Sequence, residues 1–388
     1  MSLTLGLASM NRLSANYLMP FIVNELQLTN TQTGMLSSAV ALTWAMSGLF
    51  LISAIGGRVT RKTLLLGLIA LFSLCSVASS LSGSFLALLL ARAIMGGAQG
   101  SVMPIAQSMM AANSSPGRRG LNMGLVQNVG SGILGGILAP VILVTLSDIW
   151  GWRIAIAACA APGLVFMVLL YRSLRPGDDG KPPGGESSHD LSAGELLAYP
   201  NILLCVALSA LGLMWYFLHI TFLPLLLVEA FGLTPSEMGI VISLRGFSAV
   251  AAGILLPALS DRLGRKPVVV CASALGILSP LAMTIHTWPF GPLAAINLLS
   301  GFGVGVVPLV MTIIPSETVP LHRIANVIGL TVGCAELFGG FASPILAGMA
   351  ADHLGILAPL WIATVGATIA TLLSTHLTET NSKVSNTH

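Results

Sequence analysis

The sequence predicts an all-α membrane protein, with twelve transmembrane helices in two six-helix bundles related by a parallel pseudo-twofold repeat. Three observations predict it. The 388-residue chain is 55% hydrophobic and only 8% charged, against about 25% charge in an ordinary soluble domain. Its apolar stretches are long and continuous, whereas an outer-membrane barrel would show alternating strands of about ten residues. Its second half repeats its first at one fixed offset.

The composition also excludes other classes. A chain this apolar is not disordered, and a net charge of +3, dispersed along the sequence, leaves no footprint for nucleic acid. Cys75, Cys159, Cys205, Cys271 and Cys334 all fall inside apolar stretches without CxxC or Cys/His spacing. They read as small core residues, with no metal site, cofactor or disulfide framework among them.

A hydrocarbon core of about 30 Å takes roughly 20 apolar residues per helix. That ruler places spans near 3–24, 31–56, 63–83, 85–112, 121–147, 153–172, 200–227, 236–260, 267–287, 290–315, 324–350 and 356–377. The first span is interrupted by Arg12 and has no basic segment before it, so it reads as a membrane helix and not a cleavable leader. The chain starts almost inside that span, which leaves room for a short cytoplasmic tail ahead of Met1. One connection differs from the rest. The run RPGDDGKPPGGESSHDLSAGE cannot bury a core and reads as a flexible linker. The expected organisation is a bundle over 1–175, a linker over 176–199, a bundle over 200–380 and a tail over 381–388.

Orientation follows from Lys and Arg. Thirteen of the seventeen lie on one side: Arg58, Arg61, Lys62, Arg118, Arg119, Arg172, Arg175, Lys181, Arg262, Arg265, Lys266, Arg323 and Lys383. Arg153 alone lies on the other, and Arg12, Arg92 and Arg245 fall within spans. Both termini and the linker are therefore expected in the cytoplasm, with the chain in a bacterial inner membrane.

The repeat has an offset of 204 residues, pairing Pro20 with Pro224, Glu25 with Glu229, Arg61 with Arg265, Pro140 with Pro344 and Asp148 with Asp352. Each copy has six spans, so both copies share one orientation. Two bundles on a soft linker suit rocking-type alternating access.

Between spans 8 and 9 stands Asp261-Arg262-Leu-Gly264-Arg265-Lys266, and the equivalent first-half loop holds Gly57-Arg58-Val-Thr60-Arg61-Lys62. The second-half loop resembles the signature loop of the major facilitator superfamily, D-R-x-G-R-R/K. The resemblance implies a gating role for Arg58, Arg61, Asp261, Arg262 and Arg265; the simpler reading is a positive-inside anchor. Arg92-Ala-Ile-Met-Gly96-Gly97-Ala-Gln99-Gly100, with Asn11-Arg12 in span 1, is similar to the anion:cation symporter branch. Asn11 and Gln99 stand where that branch often has the carboxylates associated with proton coupling.

An ionisable residue at mid-membrane costs about 2.5–3.5 kcal/mol on insertion scales, so each needs a reason. Arg12, Arg92, Arg245 and Glu336 are the clear cases. The superfamily resemblance implies that spans 1, 4, 7 and 10 line a cavity flanked by 2, 5, 8 and 11, which is where these four lie. Guanidinium matches a carboxylate with two parallel hydrogen bonds. Arg12 and Asn16 share one helical face, and Arg92 and Gln99 share another, as candidate anion-binding groups. For Arg92 the alternative is a packing role, and Arg245 and Glu336 can instead neutralise each other. Three positive charges against one negative argue for an anionic substrate. On span 7, Trp215 and His219 share a face with Phe222 and read either as packing or as part of the site.

The expected function is secondary transport of a small organic anion, with a carboxylate the first choice. The alternatives are a drug or metabolite exporter and a non-transporting sensor. No nucleophile–base arrangement points to an enzyme, and no ATP-binding motif is present, so a gradient or exchange supplies the energy. If protons drive transport, Glu336 is the expected carrier by elimination, with His219 second. The expected partners are substrate, a coupling ion and the lipid bilayer, around a monomer.

Overall fold

The computed structural model describes residues 2–51, 59–112, 125–173, 199–320 and 323–381. Arg58, Arg118, Arg119, Lys383 and all but the last residue of the expected linker lie outside these segments. Among the described residues every regular element is a helix, and the helices follow the twelve expected spans.

In the first bundle α1 runs Ser2–Tyr17 and, after a break at Leu18, Met19–Leu26; α2 is Asn30–Met46 with a wider turn over Ser47–Leu51. The break has a cause in the sequence: Pro20 has no N–H to return to the preceding turn. Then come α3 (Arg61–Ser80), α4 (Phe85–Gly100 and Val102–Ala112), α5 (Leu125–Leu138 and Ala139–Trp150) and α6 (Trp152–Ala158 and Ala160–Ser173).

The second bundle holds α7 (Pro200–Glu229), α8 (Pro235–Leu263), α9 (Arg265–Ile285), α10 (beginning Phe290–Gly301 and ending Ile314–Thr318), α11 (Ile324–Ala335 through Ser343–Leu354) and α12 (Ala358–Ser374). α2 and α8 open on full capping boxes, Thr29 with Gln32 and Thr234 with Glu237.

The apolar core divides unevenly. In the half away from the basic loops, one cluster crosses both bundles, joining Leu18, Ile22, Leu36 and Leu143 to Leu223, Leu226, Met238 and Leu293. Toward the basic loops lie two further clusters, one within the first bundle around Leu65, Phe72 and Met95, and one mainly in the second around Leu208, Val269 and Leu309 that also takes in Ala41 of α2. Two backbone crossings hold the joined half together. A Cβ on Gly34 of α2 would collide with the Pro344 carbonyl of α11, and one on Gly246 of α8 would collide with the Gly136 carbonyl of α5. Glycine permits that approach, as small residues commonly do where membrane helices pack. Among the described residues, the apolar core thus joins the bundles on the side away from the basic loops and largely divides between them on the other.

Candidate functional site

Between the bundles lies a cavity of about 280 Å³. α1 gives Ser9, Leu13 and Tyr17 to its wall, and α5 gives Ser131, Gly132 and Gly136. From the second bundle Tyr216, His219 and Leu223 of α7, Ile242 and Arg245 of α8, and Val304 and Val307 of α10 complete it. The wall is mostly apolar, and among the described residues Arg245 is the one always-charged side chain in it.

Arg245 is 8% exposed, and neither of its terminal nitrogens has a hydrogen-bond partner. Its guanidinium stacks 4.5 Å from the Trp215 ring centroid. Trp215 is fixed in turn, since its indole N–H donates to the Gly276 carbonyl at 2.9 Å. Its ring lies 4.4 Å from that of His219. His219 Nδ1 meets the Trp215 carbonyl at 2.7 Å, and Nε2 is buried without a partner. The site therefore presents an unsatisfied cation fork and an unsatisfied imidazole nitrogen against apolar walls.

The repeat offset relates Tyr216, Arg245 and Gly132 of this cavity to Arg12, Ala41 and Glu336 on the opposite side of the interface. In that second sector the Arg12 guanidinium stands over the rings of Trp44 at 5.0 Å and Phe217 at 5.8 Å. Glu336 approaches Gly340, with one carboxylate oxygen buried and unpartnered. The Arg245–Glu336 ion pair expected from the sequence is not formed. The two residues sit in different sectors, and the charge acting on Glu336 is that of Arg12.

Four of the expected anion-binding residues do not line the cavity. Arg12 is held between Trp44 and Phe217. Asn16 spends its amide on the Ser37 hydroxyl at 3.0 Å and the Ile220 carbonyl at 3.4 Å. Arg92 is fully buried and donates to the backbone carbonyls of Arg12 at 2.5 Å and Asn11 at 3.2 Å. These bonds fasten α4 to α1. Gln99 is buried on α4 with both amide atoms unpartnered. Tyr17 and Ser131 are wall residues that the sequence did not single out, because neither carries a charge that would mark it within a span.

Asp261 pairs within its own bundle. Its carboxylate meets Arg265 at 2.6 Å, and Arg265 also forks onto Glu317 at 2.7 and 3.2 Å and reaches the Ser260 hydroxyl at 2.5 Å. Arg61 begins α3 and Arg262 is exposed at the end of α8. Asp261, expected from the sequence to pair with basic loop residues in one gate state, is paired here with Arg265 of its own loop; Arg58 of the equivalent first-half loop lies outside the described residues. The partly buried, two-pronged Arg265–Glu317 contact carries the larger energy and the solvated Asp261 contact the smaller. Glu317→Gln is expected to cost about 1–3 kcal/mol of stability, because it leaves Arg265 short of a charged acceptor. Asp261→Asn is expected to shift the thermal unfolding midpoint far less, and equal losses would contradict this ranking.

The chain after α12 ties to the same corner. Glu379 accepts from the backbone N–H of Arg265 at 2.8 Å and Lys266 at 3.1 Å. Burial pushes this carboxyl up, but those two N–H groups, with those of Asn381 and Thr380, outweigh it and hold Glu379 below the ordinary carboxylate range. A lowered native pKa gives stability that is full above the unfolded pKa and is lost as pH falls through the native one. Glu379→Gln mimics that acid form at neutral pH and is expected to speed hydrogen exchange at the Arg265 and Lys266 amides.

On the opposite side the bundles are latched by one carboxylate. Asp352 of α11 accepts from the backbone N–H and side-chain amide of Asn30, each at 2.9 Å. It also accepts from the backbone N–H of Thr31 at 2.9 Å and its hydroxyl at 2.5 Å. These are first-turn donors of α2, which helix geometry leaves unpaired. The corresponding turn of α8 begins Thr234-Pro235, and Pro235 has no N–H to give Asp148.

A family model for the Major Facilitator Superfamily matches residues 1–229 and again 204–387. The chain is 25% identical over 84% of its length to a probable sugar efflux transporter of Haemophilus influenzae, covering 81% of that protein. It is 27% identical over 84% of its length to the 3-(3-hydroxy-phenyl)propionate transporter of Escherichia coli, covering 82% of it. To a chloramphenicol resistance protein of Streptomyces lividans it is 26% identical, over 92% of this chain and 90% of that one. Its fold matches a bacterial homologue of the human lysosomal transporter Spinster in an inward-facing, unoccupied conformation. That match has a TM-score of 0.75 at 17% identity, over 96% of this chain and 95% of that one. A D-xylose–proton symporter matches with a TM-score of 0.73 at 17% identity, over 98% of each chain.

Proposed function

The chain belongs to the major facilitator superfamily, and from that premise we propose that this transporter carries a small organic monocarboxylate by rocker-switch alternating access. The observation that carries this reading is Arg245: a buried guanidinium with both terminal nitrogens unpartnered, on the wall of the cavity between the bundles. A buried ion without a partner is costly, and a bound carboxylate would supply the two parallel bonds it lacks. One charge in an apolar wall suits one carboxylate on an apolar body. The E. coli relative, named as a 3-(3-hydroxy-phenyl)propionate transporter, agrees with that chemistry.

In this reading the basic loops face the cytoplasm of a bacterial cell, and the cavity is poised toward it. Substrate would sit with its carboxylate on Arg245 and its apolar body against Leu223, Ile242, Val304 and Val307. Closure on the basic side and release of the Asp352 latch would then present it to the other face. Arg12, Asn16, Arg92 and Gln99 would act through packing, and the Asp261 loop would engage when the basic side closes.

The apolar wall and the drug-resistance relative support a second reading, export of an uncharged or cationic drug. Thermal stabilisation of the purified protein decides between them. 3-Phenylpropionate and benzoate are expected to raise the unfolding midpoint, while chloramphenicol and a matched amine do not. Stabilisation by the amine and not by the acids would overturn the carboxylate reading.

A further inference from the structure

Resting on that reading, we propose that one proton accompanies each carboxylate into the cavity and is held at His219 Nε2. The argument starts from the bond on the other ring nitrogen. The Trp215 carbonyl can only accept, so Nδ1, at 2.7 Å, carries the imidazole hydrogen. Nε2 of the neutral ring is then a lone pair, buried and unpartnered, on a residue that lines the cavity beside Arg245. A carboxylate drawn to Arg245 brings its own lone pairs toward Nε2. Two acceptors cannot face each other in a dry cavity without a hydrogen between them. Binding therefore requires a proton on Nε2, or on the carboxylate, shared along one hydrogen bond.

The charges around the ring give the coupling its order. Those facing His219 are Arg245 of α8, Tyr17 of α1 and Tyr216 of its own helix. Beyond Tyr216 stand Arg12 of α1 and Glu336 of α11. Within their spans, α2 and α12 carry no ionisable side chain and α10 has only Glu317 at its loop end. The Arg245 cation opposes a second positive charge while the cavity is empty, and the arriving anion removes that opposition. Proton and carboxylate thus favour each other's binding, as symport requires.

The test is the number of protons taken up per 3-phenylpropionate bound. It is measured calorimetrically on the full chain in lipid nanodiscs at pH 7.5, in buffers of different ionisation enthalpy. About one proton is expected, since a free imidazole, with a pKa of about 6.5, is mostly neutral there. Affinity should weaken by about tenfold per pH unit above that point. His219→Gln offers an amide N–H that needs no proton, so it should bind within about tenfold of the unmodified protein with no proton uptake and a flat pH profile. Glu336→Gln should keep both the proton and the slope. A proton retained in His219→Gln but lost in Glu336→Gln would move the carrier to Glu336 and overturn the proposal. So would pH-independent affinity in the unmodified protein, a result that stands even if His219→Gln fails to fold. Absence of any heat with 3-phenylpropionate or benzoate would instead remove the carboxylate reading itself.

Discussion

Arg245→Met is expected to abolish measurable carboxylate binding and, at the same time, to raise the thermal stability of the empty protein. Both effects come from one cause. Each hydrogen bond between a charged donor and a carboxylate contributes about 1.5–3 kcal/mol, so losing a two-pronged contact weakens Kd by at least a hundredfold. In the empty protein the same guanidinium is buried at 8% exposure without a hydrogen bond, a state that replacement by an apolar side chain of similar length relieves. Arg245→Lys keeps the charge but not the fork, and should lose about tenfold or more in affinity. Calorimetry and an unfolding curve on each variant check the pair of effects. Lower stability together with unchanged affinity in Arg245→Met would show that Arg245 is a packing residue.

Asp352→Asn is expected to open the side of the protein that is closed here. The carboxylate gathers four donors at the start of α2 from across the bundle interface, and the amide is neutral and keeps only one acceptor oxygen. Loss of a helix-capping interaction costs about 0.5–2 kcal/mol, and a loss of about 1–2 kcal/mol changes a two-state ratio by about five- to thirtyfold. The readout is labelling of a cysteine at the cavity residue Leu223 by an impermeant thiol reagent added from the latch side, with Cys271 and Cys334 replaced by Ser. The labelling rate should rise by that factor. Asp148→Asn, at the repeat-related position, should leave it unchanged, because Pro235 denies Asp148 a matching donor. Equal effects from both substitutions would show that net charge at this surface, and not the latch, sets the equilibrium.

Twelve spans, two bundles and the family were legible because membrane burial writes its demands on long stretches of sequence. Helix length, charge depletion and the 204-residue register each involve dozens of residues. The cavity was legible only in part. His219, Trp215 and Arg245 were singled out, since a polar group within a span has to be explained. Which arginine faces the cavity depends on helix rotation and on what lies opposite, and neither is encoded near the residue itself. Arg92 and Arg245 both read as interior cations. Arg92 meets carbonyls exposed by α1, whereas Arg245 meets an aromatic ring and open space. The Asp352 latch was hidden for a similar reason: two of its four donors are backbone N–H groups, which almost every residue possesses, and all four lie 321 or 322 residues away.

The bond from Asn16 to the Ile220 carbonyl spans 204 residues, the offset of the repeat itself. It therefore joins two points that the pseudo-twofold operation exchanges, and such points can touch only next to the axis. Both also lie in the interior of their helices, away from either end. When two bodies rock about the membrane centre, displacement grows with distance from that centre and vanishes there. In a cycle of that kind this contact would be a fulcrum, able to persist while the faces on either side part and meet. Weakening a fulcrum leaves the depth of either end state alone and alters how freely the lever swings between them. The few polar atoms Asn16 withholds from substrate would then set the tempo of the cycle and leave untouched the choice of what it carries.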